Sequence, residues 1–388
     1  MPMLTYAFVV TINSNGNHPV SNDGIRQLTE VVHSHNIPVT WAVSPKDARP
    51  IADNLTNWHQ DYGDDVVLML PQFGKIDLRN PEQVVTLREK MPDQIVKQHE
   101  QLKNLLEWVD SKIVGANRKS HILISTLAEL GFDGLWGYGS SEGDHGSPFS
   151  FFYPSVEHHN FGGVPASRIV AIPFSSTGTT DFCDLLLNNT IHEPLALYQS
   201  NLGWNSWLGF VQQVDASKFS RLSPECIDLL DGYLGGLIES DVQIQTLSEV
   251  VADYRSKFSQ TAETYLINDS QLLYYNHQCQ LIFNIDRIEP VRMHNYVSPP
   301  MSSIDGSEFN LPLTENLRAH RSRNQVTFQF EIESAKKMPY GFAVWGNHVG
   351  LELYQSNAES VIWVGDRLLL VRTDLDAGKN EIKIVLTI

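Results

Sequence analysis

The 388-residue chain is predicted to be an α/β barrel followed by an antiparallel β-sandwich. Two observations predict this. Short apolar strands alternate with loops and amphipathic helices over residues 1–260, the pattern of a parallel sheet with crossover helices. From residue 265 to 388 the hydrophobic period becomes two, and turn residues separate short strands.

Tyr6 to Ile12 is an apolar run rich in β-branched and aromatic residues, hence a buried strand, and it ends in the polar loop Asn13-Ser14-Asn15-Gly16-Asn17. Ser21 or Asn22 caps a helix with Ile25, Leu28, Val31, Val32 and His35 on one face. Ile37 to Val43 is a second strand and Val66 to Leu70 a third, followed by the loop Pro71-Gln72-Phe73-Gly74. A helix is expected from Pro81 to Val109, then a strand at Ile113-Val114 and a loop at Gly115-Ala116-Asn117-Arg118. Ile122 to Leu130 reads as a helix closed by Gly131. Further strands are expected at Gly134 to Trp136, Ile169 to Ile172, Trp207 to Val211 and Asp241 to Ile244, and a last helix at Ser248 to Phe258. Seven or eight such strands make a barrel, whose functional groups sit on the loops after the strand C-termini. That rule selects Asn13, Asn15, Trp41, Gln72, Arg118, Trp136 and Gln212 as substrate-binding candidates.

Beyond this half, Val326, Phe328, Phe330 and Ile332 alternate with Thr327, Gln329, Glu331 and Glu333, a half-buried antiparallel strand. Similar runs lie at Leu281 to Ile285, Gly341 to Trp345, Val361 to Val364, Leu368 to Arg372 and Glu381 to Ile388. Gly346-Asn347, Gly365-Asp366 and Asp376-Ala377-Gly378 supply the turns.

A hydrophobic share of 42% and a charged share of 19% are those of a globular protein. The net charge of -17 excludes nucleic acid and anionic membranes as partners, since both need clustered Lys and Arg, and leaves a neutral or cationic ligand or a glycan. Cys183, Cys226 and Cys279 are far apart, without the spacing of a disulfide framework or zinc knuckle. The first residues lack the basic and apolar regions of a signal peptide, so a cytoplasmic location is expected. No nucleophile elbow, phosphate loop or dinucleotide fingerprint is present, and no cofactor is expected.

Over residues 5–258 the order of segments resembles the polysaccharide deacetylases, whose domain is a partly open α/β barrel. Ile37-Pro38-Val39-Thr40-Trp41-Ala42-Val43 matches that family's second strand, and Thr126-Leu127-Ala128-Glu129-Leu130-Gly131-Phe132 matches the helix end after its Arg-Pro-Pro segment. The resemblance implies a divalent metal held by one Asp and two His, with a second Asp as base. At those places this chain has Asn13 and Ser14 for the acids and Met69 and Pro71 for the histidines, and the final catalytic His falls near Gln212 or Gln213. None of these replaces an imidazole ligand or a carboxylate base, so no metal is expected.

The most unusual segment runs from Trp136-Gly137-Tyr138 through Glu142, Asp144 and His145 to Gly146-Ser147-Pro148. It is Gly-rich, follows a strand, and resembles a segment of uncharacterised glycan-degradation proteins of deacetylase-like fold. A carboxylate pair can act as acid and base or nucleophile on a glycoside, and aromatic faces stack on pyranose rings. Glu142, Asp144 and Asp215 are therefore the catalytic candidates, with His145 and Trp204 added to the substrate-binding set. Asp181, Asp184 and Trp207 are further candidates on post-strand segments. Three readings follow: a glycan hydrolase without the usual metal, a non-catalytic carbohydrate-binding protein, and a divergent metal-dependent deacetylase.

Overall fold

The computed structural model describes residues 3–12, 22–70, 81–116, 119–138, 150–156, 166–173, 182–202, 205–216, 221–262, 264–267, 271–275, 280–284, 313–321, 325–334, 337–345, 352–358, 360–364 and 368–387. Its chain divides into two compact units, Met1–Leu266 with Tyr274–Gln280, and Ile267–Leu273 with Leu281–Ile388.

The first unit runs β1 (Met3–Ile12), α1 (Asn22–Ser34), β2 (Val39–Val43), α2 (Pro45–Ala48), α3 (Ala52–Tyr62), β3 (Asp65–Met69), α4 (Pro81–Leu105), β4 (Ile113–Gly115), α5 (His121–Leu130), β5 (Gly134–Tyr138), β6 (Val170–Pro173), α6 (Phe182–Leu187), α7 (His192–Ser200), β7 (Trp207–Asp215), α8 (Pro224–Glu239), β8 (Gln243–Ile244) and α9 (Leu247–Lys257). The strands form one parallel sheet in the order β6-β5-β4-β3-β2-β1-β7, with β8 paired to β1. Among the described residues β6 and β7 do not pair, so the sheet is a half-barrel rather than a closed one. The expected strands are present; α2, α3, α6, α7 and α8 are helices beyond those expected from periodicity.

Local signals explain the helix ends. Ser120 Oγ accepts from Leu123 N to start α5, and Gly131, at φ +85°, closes it as expected. Thr246 and Glu249 form a capping box at the start of α9. Ser223 caps α8, with Pro224 in its first turn, where a missing N–H costs nothing.

Strand alternation sorts the sheet into two faces. On the inner face Ala7, Val9, Ala42, Val67 and Val211 pack against Leu247, Val250, Val251 and Tyr254 of α9. Phe151, Tyr153 and Trp207 fill the same core, with Trp207 and Tyr254 ring centroids 4.9 Å apart. On the outer face Phe8 meets Phe182 of α6, Trp41 stacks on Trp58 of α3, and Tyr6 stands 3.4 Å from Tyr233 of α8, hydroxyl to hydroxyl. Each buried Phe side chain contributes on the order of 1.5–3 kcal/mol. α9 thus acts as a plug for the half-barrel, and α6, α3 and α8 cover its outer side.

The stretch over which the division falls carries β9 (Thr264–Ile267), β10 (Gln271–Tyr275) and β11 (Gln280–Asn284), a sheet in the order β11-β10-β9. The remainder has β12 (Leu313–Arg321), β13 (Gln325–Ser334), β14 (Met338–Trp345), β15 (Glu352–Ser356), β16 (Ser360–Val364), β17 (Leu368–Leu375) and β18 (Gly378–Thr387). They form two antiparallel sheets, in the orders β12-β13-β18-β15 and β14-β17-β16. The alternation expected for Val326 to Glu333 corresponds to β13, paired from Gln325↔Thr387 to Ser334↔Gly378. In β18 Ile382, Ile384 and Leu386 are buried while Glu381 and Lys383 are exposed.

Candidate functional site

All strands of a parallel sheet end on one side, so their C-termini define one mouth. On the inner face of that mouth Asp215 is in register with Thr11, and Thr11 with Ala42. Farther along the sheet Met69 is in register with Gly115, Gly115 with Trp136, and Trp136 with Ile172. Thr11 Oγ1 donates to Val214 O at 3.1 Å, which ties β1 to β7 beside the carboxylate. Asp215 is partly exposed at the last position of β7. It is the catalytic candidate that the described residues bring to the mouth. Thr11, its neighbour, was not singled out from sequence, although its parity with Val9 is the signal that places it there.

Trp136 ends the inner-facing run of β5. Gly137 follows with φ +107°, and a Cβ there would stand 2.9 Å from Ala116 O. The register of β5 with β6 shifts at this point. The shift sends Tyr138 to the other side of the sheet, where its ring meets Phe152 edge-on at 5.5 Å. Phe152 faces outward because Phe151 and Tyr153 on either side of it both face the inner core. The glycine is thus required at the base of the segment that carries Glu142, Asp144 and His145.

Two substrate-binding candidates lie elsewhere than expected. Trp41 pairs with Val10 and Val66 and is sealed on the outer face, its indole N–H donating to Asp64 Oδ2 at 2.7 Å. Gln212 pairs with Phe8, is likewise buried on the outer face, and donates from Nε2 to Gln213 O at 3.3 Å. In both cases alternation along the strand, opposite to inward-facing Ala42 and Val211, turns the side chain toward the helices and away from the mouth. Trp207 is an inner-core residue whose N–H donates to Asp253 at 3.1 Å, and Asp184 is exposed on α6. Asn13, Asn15, Gln72, Arg118, Glu142, Asp144, His145, Asp181 and Trp204 lie outside the described residues.

A second inner-face carboxylate, Asp65, is in register with Thr40 near the opposite ends of the strands. Burial pushes its carboxyl up, offset in part by the hydroxyl of Ser248. Its layer is separate from that of Asp215, so the two do not form a pair.

At the positions that the sequence resemblance assigns to a metal, the residues present do not fit one. Met69, which the resemblance aligns with a histidine, is part of the inner core, and a Cβ on Gly115 would collide with its sulfur and with the Trp136 ring. A packed thioether is a poor donor for a hard divalent ion, and Asn, Ser and Pro at the other places offer only neutral oxygens. Among the described residues no three His, Cys, Asp or Glu side chains come together, and no helix is long and apolar enough to cross a membrane.

No known family matches the chain by sequence, and neither does any curated protein. Solved structures match the chain at low identity and low TM-score. One is a probable polysaccharide deacetylase from Pseudomonas aeruginosa PAO1, 11% identical with a TM-score of 0.45 over 66% of this chain and 91% of that one. Another is the allantoinase Puue, 12% identical with a TM-score of 0.46 over 65% and 90%. A third is the 4-alpha-glucanotransferase of Thermococcus litoralis, 10% identical with a TM-score of 0.46 over 100% of both chains.

Proposed function

We propose that the chain is a carbohydrate-active hydrolase of deacetylase-like fold that works without an Asp-His-His metal site. Its reaction centre is the mouth of the half-barrel in residues 1–260, with Asp215 and the loop acids Glu142 and Asp144 as the catalytic carboxylates. The observation that carries this reading is the placement of Asp215 on the inner face at the end of β7, in register with Thr11. A carboxylate there faces the space into which the loops after the other strands lead. One carboxyl protonates the leaving glycosidic oxygen and the other activates water or attacks the sugar directly. A separation of about 5–5.5 Å gives retention of configuration, and roughly 6.5–9.5 Å gives inversion.

Residues 265–388 serve as an accessory domain, with the two antiparallel sheets stacked as a β-sandwich. The burial of Ile382, Ile384 and Leu386 against exposed Glu381 and Lys383 supports one covered face. We place the protein in a reducing, cytoplasmic setting, on the strength of its unpaired cysteine spacing and the buried free thiol of Cys226.

The test is turnover of a glycan panel by the wild type, Asp215→Asn and Glu142→Gln. Loss of about 100-fold or more in kcat in either variant, with the fold intact, is the result expected of a general acid or base. Binding without turnover in the wild type would establish the non-catalytic reading instead. Turnover abolished by a chelator and restored by a divalent ion would establish the metal-dependent one.

A further inference from the structure

We infer that the indole N–H of Trp136 donates a hydrogen bond to an oxygen of the ligand bound at the mouth, a role that rests on the glycan reading above. Trp136 is only 2% exposed, and its Nε1 is buried with no hydrogen-bond partner among the described residues. The contrast with other indoles of this unit is direct. Trp41 donates to Asp64 at 2.7 Å, Trp207 to Asp253 at 3.1 Å and Trp108 to Thr56 Oγ1 at 3.2 Å. Buried indoles ordinarily find an acceptor, because desolvating the N–H without one is costly. Trp136 occupies the last inner-facing position of β5, immediately before the Gly137 shift and, in sequence, the acidic, Gly-rich segment.

Packing decides what Trp136 can contribute there. Its ring lies over Gly115 beside the Met69 sulfur and belongs to the inner core with Ile172. A ring so enclosed has no open face on which a sugar can stack. What remains is a fixed, buried donor on the last inner-facing residue of β5, at the end of the strand that leads to the mouth. Such a donor selects a neutral oxygen acceptor, a sugar hydroxyl or an amide carbonyl, and penalises any ligand that leaves the N–H bare. Trp136 is therefore a specificity-determining residue acting through hydrogen bonding and not through stacking. A permanently bound internal water would also satisfy the group, and the experiment separates the two.

The full-length chain is labelled with 15N at tryptophan indoles, and Trp136→Phe identifies its signal. Neutral oligosaccharides of glucose and of N-acetylglucosamine are then titrated in. The expected result is a saturable shift of the Trp136 signal by at least one of them. A second variant with 3-benzothienylalanine at position 136 keeps the ring's size and removes only the donor. It should weaken binding of that sugar about tenfold, equivalent to about 1.4 kcal/mol. No shift with any sugar, or unchanged affinity in the benzothienyl variant, overturns the inference and assigns the N–H to a bound water or a protein acceptor. Turnover that depends on Asp215 while the Trp136 signal stays still would sink this inference and leave the functional reading standing. Neither binding nor turnover of any sugar would remove both.

Discussion

Asp64 accepts the indole N–H of Trp41 at 2.7 Å, and the bond joins the residue just before β3 to the middle of β2. The same carboxylate accepts from Val39 N at 2.9 Å and approaches His33 Nε2 at 3.0 Å. The His33 ring in turn stacks on Tyr62 with centroids 3.9 Å apart. Asp64 and His33 are both buried. The cluster binds α1, α3, β2 and β3 at the strand N-termini, the end away from the mouth. Its polar residues serve the fold, which is why Trp41 is not at the site.

Removing this carboxylate strands three donors in the interior at once. Asp64→Ala should lower stability by about 3–5 kcal/mol, the cost of breaking a buried, hydrogen-bonded charge cluster from one side. Asp64→Asn should cost less, because it keeps one acceptor oxygen. Urea unfolding followed by tryptophan fluorescence measures both. A loss under about 1 kcal/mol for the alanine variant would show that water replaces the carboxylate, contrary to the burial of the cluster.

Gly137→Ala tests the shift at the mouth independently of chemistry. A side chain there must adopt φ near +107° and place its Cβ 2.9 Å from Ala116 O. The expected destabilisation is about 1–3 kcal/mol. The accompanying change in the β5–β6 register should also alter whatever the Gly-rich segment does. Chemical denaturation gives the first quantity and the glycan assay the second; a variant as stable as wild type would contradict the geometry.

Four of the thirteen tyrosines should resist ionisation in the folded state. Burial pushes the Tyr233 phenol up to about 12 and raises those of Tyr6, Tyr153 and Tyr254. Folded values above the unfolded value near 10 mean that the native state holds these protons more tightly. Their contribution to stability is therefore complete below about pH 10 and is lost as pH rises toward 12 and beyond. A spectrophotometric titration should show the remaining tyrosines ionising reversibly and these four only with alkaline unfolding. Reversible ionisation of all thirteen below pH 11 would rule this out.

Much of the architecture was legible in the residues. Apolar β-branched runs such as Val39 to Val43 and the alternation from Val326 to Glu333 report strands through local preference and period, and Gly131 marks a helix end through its positive φ. Periodicity passed over α8, whose sequence Pro224–Glu239 is broken by Gly232, Gly235 and Gly236. Strand parity was also legible: residues 41 and 212 must face opposite to residues 42 and 213. Which of the two faces lines the site was not, because that depends on where α9 packs, and α9 begins only at Leu247, an inner-face core residue far along the chain from Trp41. The registers of Asp215 with Thr11 and of Gly115 with Trp136 likewise join segments remote in sequence. The sequence by itself thus determined which residues become strands, helices and turns, since those are set by neighbours a few positions away. Only the tertiary structure decided which acids and indoles face the inner side of the sheet and which are sealed behind the helices, since facing is settled by long-range packing.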